Sequence, residues 1–596
     1  ARNFVTNIIE NDLAKGVNGG RVVTRFPPEP NGYLHLGHAK SINFNFAVAK
    51  AYNGVTHMRF DDTNPAKEDV EYVNSILQDV KWLVTGKVNP SKNPWFGPVR
   101  HASDYFPALY DCAEYLIKQG LAYVDHLSPE ELKEYRGTLT EPGRDSPYRT
   151  RTVHENLQLF QDMKNEKFPD GHCVLRAKID MSNSNLNLRD PTIYRIKRER
   201  HPITENLWCI YPMYDFAHAI SDAIEGITHS LCTLEFDNHR PLYDWIIENL
   251  LPSGILPYSK EKYRPNQYEF SRLNLQYTVL SKRKLITLIT NNYVNGWNDP
   301  RLPTISGLRR RGIPSLAIKL FCERVGISKV ENNIDIKVLE ECSREILDYE
   351  ASRLFAIAKP LKVTITNWEQ NDPEIFSVAR HPKRPEMGYR ELPFTKTLYI
   401  DNDDFFDTKA DLNDTSLLIK PPKGYKRLIY QSQVRLKNTY VITCNKVIRN
   451  DQNEICELLC TYEPDTRAGK TPIGSNKVKG IIQWISQEHA VKVDLYQYDR
   501  LFLHPSPGKN RDDGDFLKDI NPHSLEVIQN AVVEANVLKE LQALTRSTDS
   551  SSDNEVGLAP GTFQFERMGY FALDSLNPDP SQPLKFNRIV TLKDTW

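Results

Sequence analysis

A multidomain α/β protein built on a split parallel sheet is predicted from three observations. Residues 21–60 read strand, helix, strand, and a second strand–helix set begins only near residue 207. Beyond about residue 351 the pattern turns to short alternating strands. In the first unit "RVVTRF" is β-rich, and a helix runs from about Leu36 to Tyr52 with apolar Leu36, Ala39, Ile42, Phe46 and Ala49. Asn53-Gly54 stops it, and "VTHMRF" is the next strand. This βαβ order implies a Rossmann-type parallel sheet, completed by "LWCIYPMYDFAHAISDAIEGITHSLC". The sheet domain is therefore expected over 21–107 and 208–272, behind an N-terminal extension at 1–20. Residues 108–207 mix helical stretches, the polar loop "TLTEPGRDSPYRTR" and strands such as "CVLRAKI", which reads as an inserted α+β domain.

Residues 273–350 are expected to form a helical subdomain, with seven Lys/Arg against one Glu in "RLPTISGLRRRGIPSLAIKLFCERVGISK". The strands that follow ("LKVTITNW", "TLYID", "YKRLIY", "QVRLKNTYVITCNKV", "GIIQWIS", "AVKVDLYQYDRLF") predict two antiparallel β-barrels. The proximal one is assigned to 351–392 and 466–596, the distal one to 393–465. "RSTDSSSDNEVG" at 546–557 is low in complexity and expected to be a mobile loop. There is no internal repeat.

At 596 residues the chain exceeds one core, and a prior of about 100–200 residues per domain gives three to five. A net charge of −1 excludes a uniformly basic coat but leaves room for a basic face balanced elsewhere. The nine cysteines form no CxxC pair, and Cys456 and Cys460 lack histidine companions, so no metal held by the protein is expected. Free thiols suit a reducing cytoplasm, where the chain is expected to work. No apolar run approaches the ~18 residues of a membrane span, and no membrane partner is expected. Ala1 in place of Met suggests an upstream segment.

The stretch "PPEPNGYLHLGH" at 27–38 places two histidines around a glycine where a strand's loop becomes a helix. Ligands of parallel α/β sheets bind at such turns, where the helix N-terminus and its amides favour phosphate. His35 and His38 would add donors to charge developing on an α-phosphate. About 240 residues later "YTVLSKRKL" offers Ser281 and Lys282 as a clamp for a pyrophosphate leaving group. Alone, the first stretch reads equally as an ordinary polar turn and the second reads as a solvated basic turn; together they read as a nucleotide site.

With "HLGH" and "VLSKR" in the places of two family signatures, the chain resembles the class I aminoacyl-tRNA synthetases. More narrowly it is similar to their glutamyl/glutaminyl subfamily on the glutaminyl side. The matching stretches are "RFPPEPNGYLHLGHAKSI", "RFDDTNPAKEDVEYV", "YPMYDFAHAISDAIEGITHSLCTLEF", "QYEFSRLNLQYTVLSKRK", "HPKRPEMGYRELPF" and "FQFERMGYF". They run from about residue 20 to the C-terminus.

The resemblance implies residue roles. Glu29, Pro30, Asn31, His35, Leu36, Gly37, His38, Ala39, Lys40 and Ser41 would border ATP. Thr233, Arg272 and Leu273 would hold ribose and adenine, and Leu280, Ser281 and Lys282 the phosphates. His35, His38, Ser281 and Lys282 would be catalytic. Asp61 would pair with the amino acid's α-ammonium, and Tyr214, His218 and Gln267 would line its side-chain pocket, toward which Arg25 also points. Cys232 stands where eukaryotic and archaeal-type glutamyl enzymes carry arginine, so a glutamate carboxylate would lack its usual cation. Tyr214 would accept a hydrogen bond from a glutamine amide.

Glutamine would be activated by ATP, with Mg²⁺ riding on the phosphates, and passed to the 2′-hydroxyl of the terminal tRNA adenosine. By the same resemblance the inserted domain opens the acceptor end, with "YRIKRERHP" on phosphates, and the basic helical region faces the inside of the tRNA elbow. The barrels would read a splayed anticodon through Arg353, Pro382, Lys426, Arg427, Arg435, Lys437 and Gln564. The chain departs from the bacterial pattern at Gly424, Lys437 and Asn238, where Gln, Arg and Asp are usual. A monomer is expected, with membership of a larger synthetase assembly left open. Three other readings compete with this one: glutamate charging, a catalytically silent tRNA-binding scaffold, and an HxGH nucleotidylyltransferase of small metabolites, which would not need the barrels.

Overall fold

The computed structural model describes residues 2–67, 69–258, 263–546, 555–575, 579 and 581–596. Helix α1 (Phe4–Ala14) starts at Asn3, whose side chain accepts from the amides of Val5 and Thr6. Its buried Val5 and Ile9 pack with Val22, Phe44, Val48 and Phe270, so the N-terminal extension is fastened to the sheet domain.

The first βαβ unit is β1 (Val23–Phe26), α2 (Leu36–Ala51) and β2 (Val55–Phe60), followed by α3 (Val70–Thr85) and β3 (Arg100–His101). The pairings β1–β2 and β2–β3 are parallel, in the registers Val23↔Val55 and Arg59↔Arg100. At the end of α2, Asn53 has a φ of 56°. A side chain on the next residue, Gly54, would come within 2.0 Å of the Val22 carbonyl oxygen, which a glycine alone allows.

The inserted segment comprises α4 (Phe106–Lys118), β4 (Ala122–Asp125), α5 (Pro129–Arg136), α6 (Val153–Lys164), β5 (Val174–Ala177), β6 (Thr192–Ile196) and β7 (Ile210–Pro212). Its four strands pair antiparallel in the order β4-β5-β6-β7. The last pairing, Ile196↔Ile210, carries the insertion past the expected edge at 207, because buried Cys209, Ile210 and Tyr211 complete its core.

The chain then returns through α7 (Tyr214–Glu225), β8 (His229–Thr233), α8 (Arg240–Leu250) and β9 (Asn266–Phe270), with β8 and β9 parallel. The Thr228 amide donates to the Val23 carbonyl at 3.0 Å, which sets β8 beside β1. With the parallel pair β8-β9 set beside β1 of the three-stranded sheet β1-β2-β3, the strand order switches between β1 and β8, and the ends of those two strands are where ligands of such sheets bind.

Next come β10 (Asn274–Gln276), α9 (Lys282–Thr290), α10 (Ile305–Arg311), α11 (Ser315–Val325), β11 (Asn333–Asp335) and α12 (Lys337–Glu350). Three arginines of the basic run are held against other parts of the chain, while Arg324 stays exposed. Arg309 pairs with Asp79 at 2.8 Å and Arg310 with Asp574 at 3.0 Å, and Arg311 donates to the Ile589 carbonyl at 2.7 Å. Buried carboxylates drew them in, because an unpaired buried acid costs more than a lost surface charge.

Two seven-stranded sheets follow. One joins Ser352–Leu354 and Ala356–Ile357 to Val491–Tyr498, Leu525–Val533, Thr562–Phe565, Gly569–Leu573 and Leu584–Val590. The other joins Pro360–Ile365 and Thr397–Asp401 to Gln433–Leu436, Val441–Arg449, Ile455–Glu463, Ile481–Ile482 and Ile485–Ser486. The division therefore falls between Ile357 and Pro360 rather than at 392/393, and after Ser486 rather than at 465/466. Nor are the sheets purely antiparallel: Lys362↔Glu457 and Val493↔Leu584 are parallel registers between strands far apart in the chain. The expected mobile loop at 546–557 falls mostly on 547–554, outside the described residues. Among the described residues, no helix is long and apolar enough to cross a membrane, and no cluster of three or more His, Cys, Asp or Glu could hold a metal ion.

Candidate active site

The two signature stretches meet at the mouth of the crevice. Lys282, the first residue of α9, donates from its ammonium to the Asn31 carbonyl, a contact across 251 residues of chain. A methyl group placed on Gly32 would lie 3.3 Å from the Lys282 side chain, and one on Gly37 would lie 3.7 Å from Leu280. The segment before α10 closes the third side, with the Leu36 amide donating to the Pro303 carbonyl at 3.0 Å.

His35 is the N-cap of α2, and its Nδ1 accepts the Gly37 amide at 3.0 Å. His38 Nδ1 accepts the His35 amide, also at 3.0 Å, and the two rings lie tilted at 38° with centroids 4.0 Å apart. With Nδ1 occupied as an acceptor, each neutral ring carries its proton on Nε2. Burial holds both rings neutral: His35 falls well below the usual histidine range, with its neighbour adding to the effect, and His38 is lowered to about 4. These are neutral Nε2–H donors, not cations. The structure differs here from the expectation of free helix amides, because Leu36, Gly37 and His38 all spend their N–H groups inside the protein. The His35 imidazole takes the Gly37 amide, the Pro303 carbonyl that of Leu36 and the His35 carbonyl that of His38.

Of the other expected nucleotide residues, Pro30 and Leu273 are buried, Glu29 accepts from Asn31 at 2.6 Å, and Thr233 bonds Glu235 at 2.8 Å. Arg272 lies exposed, 3.9 Å from Glu331. Ser281 is the exposed N-cap of α9 and makes no side-chain cap bond. Lys40 is buried and donates to the Ser271 carbonyl at 2.6 Å, which ties α2 to the loop after β9.

Beneath the crevice the six residues expected around the amino acid lie close to one another, with Asp61 within the electrostatic reach of Arg25 and Tyr214. Arg25 is fully buried: its Nε donates to Asp222 at 3.0 Å, one Nη to the Leu231 carbonyl at 3.0 Å, and the other lies 3.3 Å from His218 and 3.4 Å from Cys232 Sγ. Tyr214 stacks on His218, with its hydroxyl 3.4 Å from Nδ1. Gln267 donates to the Phe236 carbonyl at 3.1 Å. Burial lowers His218 to about 3, so it too is neutral, and burial pushes the Cys232 thiol up.

Asp61, at the end of β2, is 6 % exposed, and its Oδ2 has no hydrogen-bond partner. Burial raises its carboxyl to about 8, with Arg59 opposing, which marks a site lacking a cation.

The expected set omitted the charges under the pocket. Asp222 gathers Arg25, Arg59 at 2.8 Å, Ser230 at 2.6 Å and Tyr243 at 2.9 Å; despite burial, these partners hold its carboxyl well below the usual range. Glu225 binds Arg59 and His57, both at 3.1 Å. The signal was present in "DAIEG", where two acids sit three apart near the end of a helix that also carries buried Phe216, Ala217, Ala219, Ile220 and Ala223.

The seven anticodon candidates divide. Arg353 is buried and bonds the carbonyls of Asp348 and Ala351 and, at 2.8 Å, the Asp348 carboxylate. Gln564 is its register partner and donates to Tyr570 at 3.1 Å, while His381 and Lys383, which flank exposed Pro382, also reach Asp348. Lys426, Arg427, Arg435 and Lys437 belong to the other sheet and its loops. Arg427 pairs with Asp404 and Lys437 with Glu566, and Arg435 donates to the Thr466 and Lys470 carbonyls.

The model of the catalytic domain of class I (E and Q) tRNA synthetases matches residues 21–349, and two models of their anticodon-binding domains match 351–463 and 481–545. A glutamine–tRNA ligase of Neisseria meningitidis is 50 % identical over 597 positions, covering 100 % of this chain and 98 % of that one. Those of Aliivibrio fischeri and Escherichia coli O157:H7 are each 49 % identical, with the same coverage. A solved glutamate–tRNA synthetase from Elizabethkingia anophelis reaches a TM-score of only 0.41 at 19 % identity, over 56 % of this chain and 71 % of that one, and carries no argument. Near-complete mutual coverage at this identity, together with the three domain matches, places the chain in the glutamine–tRNA ligases, the glutaminyl branch of the class I aminoacyl-tRNA synthetases.

Proposed function

We propose that this enzyme activates L-glutamine with ATP in the crevice between β1 and β8 and passes it to the 2′-hydroxyl of the terminal adenosine of its tRNA. The observation that carries the reading is the pocket's charge balance: Asp61 lacks a cation, while Arg25 is already neutralised by Asp222. A ligand with a free ammonium and a neutral amide side chain satisfies both conditions. A glutamate side chain would bring a carboxylate to neutral His218, Cys232 and Tyr214, where its desolvation goes uncompensated.

The glutamine carboxylate attacks the α-phosphorus of ATP and pyrophosphate leaves. The Nε2–H groups of His35 and His38 donate to the α-phosphate oxygens as charge builds, and Lys282 with Ser281 holds the departing phosphates. Mg²⁺ enters on the nucleotide's phosphates; His35, His38, Asn31 and Lys282 are not the oxygen-rich set that would hold it otherwise. The tRNA hydroxyl then attacks the adenylate carbonyl and AMP leaves. No side chain becomes covalent, and catalysis rests on position and fixed donors.

The inserted domain is assigned to the acceptor stem and the C-terminal sheets to the anticodon, with Pro382, Lys426 and Arg427 the candidates most open to RNA. The test is aminoacylation of a defined tRNA(Gln) transcript with radiolabelled glutamine or glutamate. Glutamine should be charged at a kcat/KM at least a hundredfold above that of glutamate; parity between the two would overturn the pocket assignment.

A further inference from the structure

The loop after β2 carries Asp61, whose amide donates to the Pro28 carbonyl at 2.9 Å and whose Oδ2 has no partner. The backbone on either side therefore aims this oxygen. The next residue, Asp62, is 1 % exposed and is clamped by two other parts of the chain. Its carboxylate accepts the Ser103 amide at 2.8 Å and the Ser103 hydroxyl at 2.6 Å, both from the turn that follows β3. Its carbonyl accepts from Nε2 of His201 at 2.6 Å, a contact across 139 residues of chain.

His201 lies in the stretch "YRIKRERHP" expected on RNA phosphates, yet it is fully buried and faces the sheet domain, while Arg198 and Arg200 before it are exposed. Two backbone bonds with Glu205, both at 3.0 Å, close its turn. Its Nδ1 accepts the amides of Ile203 at 3.0 Å and Thr204 at 3.2 Å. With Nδ1 accepting, the ring's proton sits on Nε2, the atom that meets the Asp62 carbonyl. The rings of Phe106 and Tyr211, centred 5.7 and 6.1 Å away, hold the imidazole in place. Lys197, just past β6, adds a second tie to the same loop, with its Nζ 3.3 Å from Asn64 Oδ1.

We propose that His201 is a positioning residue for the ammonium site: through its bond to the Asp62 carbonyl, the inserted segment holds the 61–64 loop so that Asp61 faces the α-ammonium of glutamine. His201 touches no substrate and acts through the backbone of Asp62. Without its donor a buried carbonyl loses its partner, and the loop relaxes away from the site. The effect falls on glutamine rather than on ATP, because the nucleotide is held by His35, His38 and Lys282 on other segments.

The inference rests on the glutamine reading, and the test separates the two. Asparagine places its oxygen near Nδ1, and glutamine as a side chain places its amide nitrogen near Nε2. H201N therefore keeps the bonds within the turn and drops the donor to Asp62, whereas H201Q keeps that donor and drops the acceptor. KM for glutamine and for ATP, and kcat, are measured in aminoacylation of a tRNA(Gln) transcript. H201N should raise KM for glutamine ten- to fiftyfold, with kcat and KM for ATP within threefold, and H201Q should stay within threefold of the wild type throughout. In a D61N background, H201N should lower kcat/KM for glutamine less than twofold further, since both residues serve one ammonium. A harmless H201N beside a damaged H201Q, full additivity with D61N, or equal effects on ATP and glutamine would overturn the role of His201. Should H201N not fold, S103A, which strips one bond from the other half of the clamp on Asp62, should raise KM for glutamine at least threefold; no rise would overturn the proposal. Failure of the wild type to charge glutamine would instead overturn the proposed function.

Discussion

On the proposed reading, Asp61 ties stability to function in a single residue. Its folded carboxyl titrates near 8 against 3.8 in an exposed state, so at neutral pH the empty site carries a penalty on the order of 2–4 kcal/mol. The proton it retains stabilises the fold at low pH, and that contribution falls as pH rises from about 4 to about 8. D61N should therefore raise the melting temperature at pH 8 by several degrees while raising KM for glutamine at least a hundredfold; a variant no more stable than the wild type would contradict the assignment. The histidines carry the opposite sign. Their folded values lie below the ordinary one, so they favour the unfolded chain as pH falls below about 6.5, yet in the folded enzyme they stay neutral. Adenylate formation should accordingly show no histidine titration between pH 5.5 and 8. The double variant H35A/H38A should slow it by roughly 10³-fold, about 4 kcal/mol, with tRNA binding unchanged in a filter assay. The closeness of His35 to His38 was legible because the two stand in one contiguous motif. Asp222, Arg59 and Glu225 were not, because their pairing depends on β1, β2 and α7 meeting in space.

Among the elements, β1–α2–β2 was readable almost to the residue: the expected Leu36–Tyr52 helix is Leu36–Ala51 with Tyr52 as its cap. Apolar periodicity and a stop signal sufficed, since both are local. The second reason for Gly54, its contact with the Val22 carbonyl, was hidden, because a contact between neighbouring strands leaves no local pattern. G54A should thus cost about 2–4 kcal/mol in denaturant unfolding by pushing β1 and β2 apart at the Val55–Val22 hydrogen bond, far beyond an ordinary helix-end substitution. The inward turn of Arg309, Arg310 and Arg311 escaped notice for a related reason. Charge density along a helix says nothing of the acids that meet it from other segments.

At the scale of the whole molecule, the barrel division was misplaced because Pro360–Ile365 alternates like any half-buried strand and gives no sign of which sheet it joins. The long-range parallel pairing with Ile455–Glu463 decides it. The joint between the catalytic part and the barrels is the Asp348 node, where Arg353, His381 and Lys383 converge beside Gln564 and Tyr570. R353A should raise KM for tRNA about tenfold while leaving KM for ATP unchanged, because the node orients the strand that carries Gln564 but lies outside the nucleotide crevice. The reverse pattern would remove Arg353 from the tRNA-binding set.

The central claim is that His35, His38 and Lys282, brought together from distant parts of the chain, clasp one nucleotide directly above a pocket whose anion is Asp61. A crystal structure with a non-hydrolysable glutaminyl-adenylate analogue tests it most directly. The predicted result has the ammonium on Asp61, the side-chain amide between Tyr214 and Gln267, and the phosphate mimic between the two imidazoles and Lys282. An analogue seated away from Asp61, or a phosphate group out of reach of both histidines, would contradict the account.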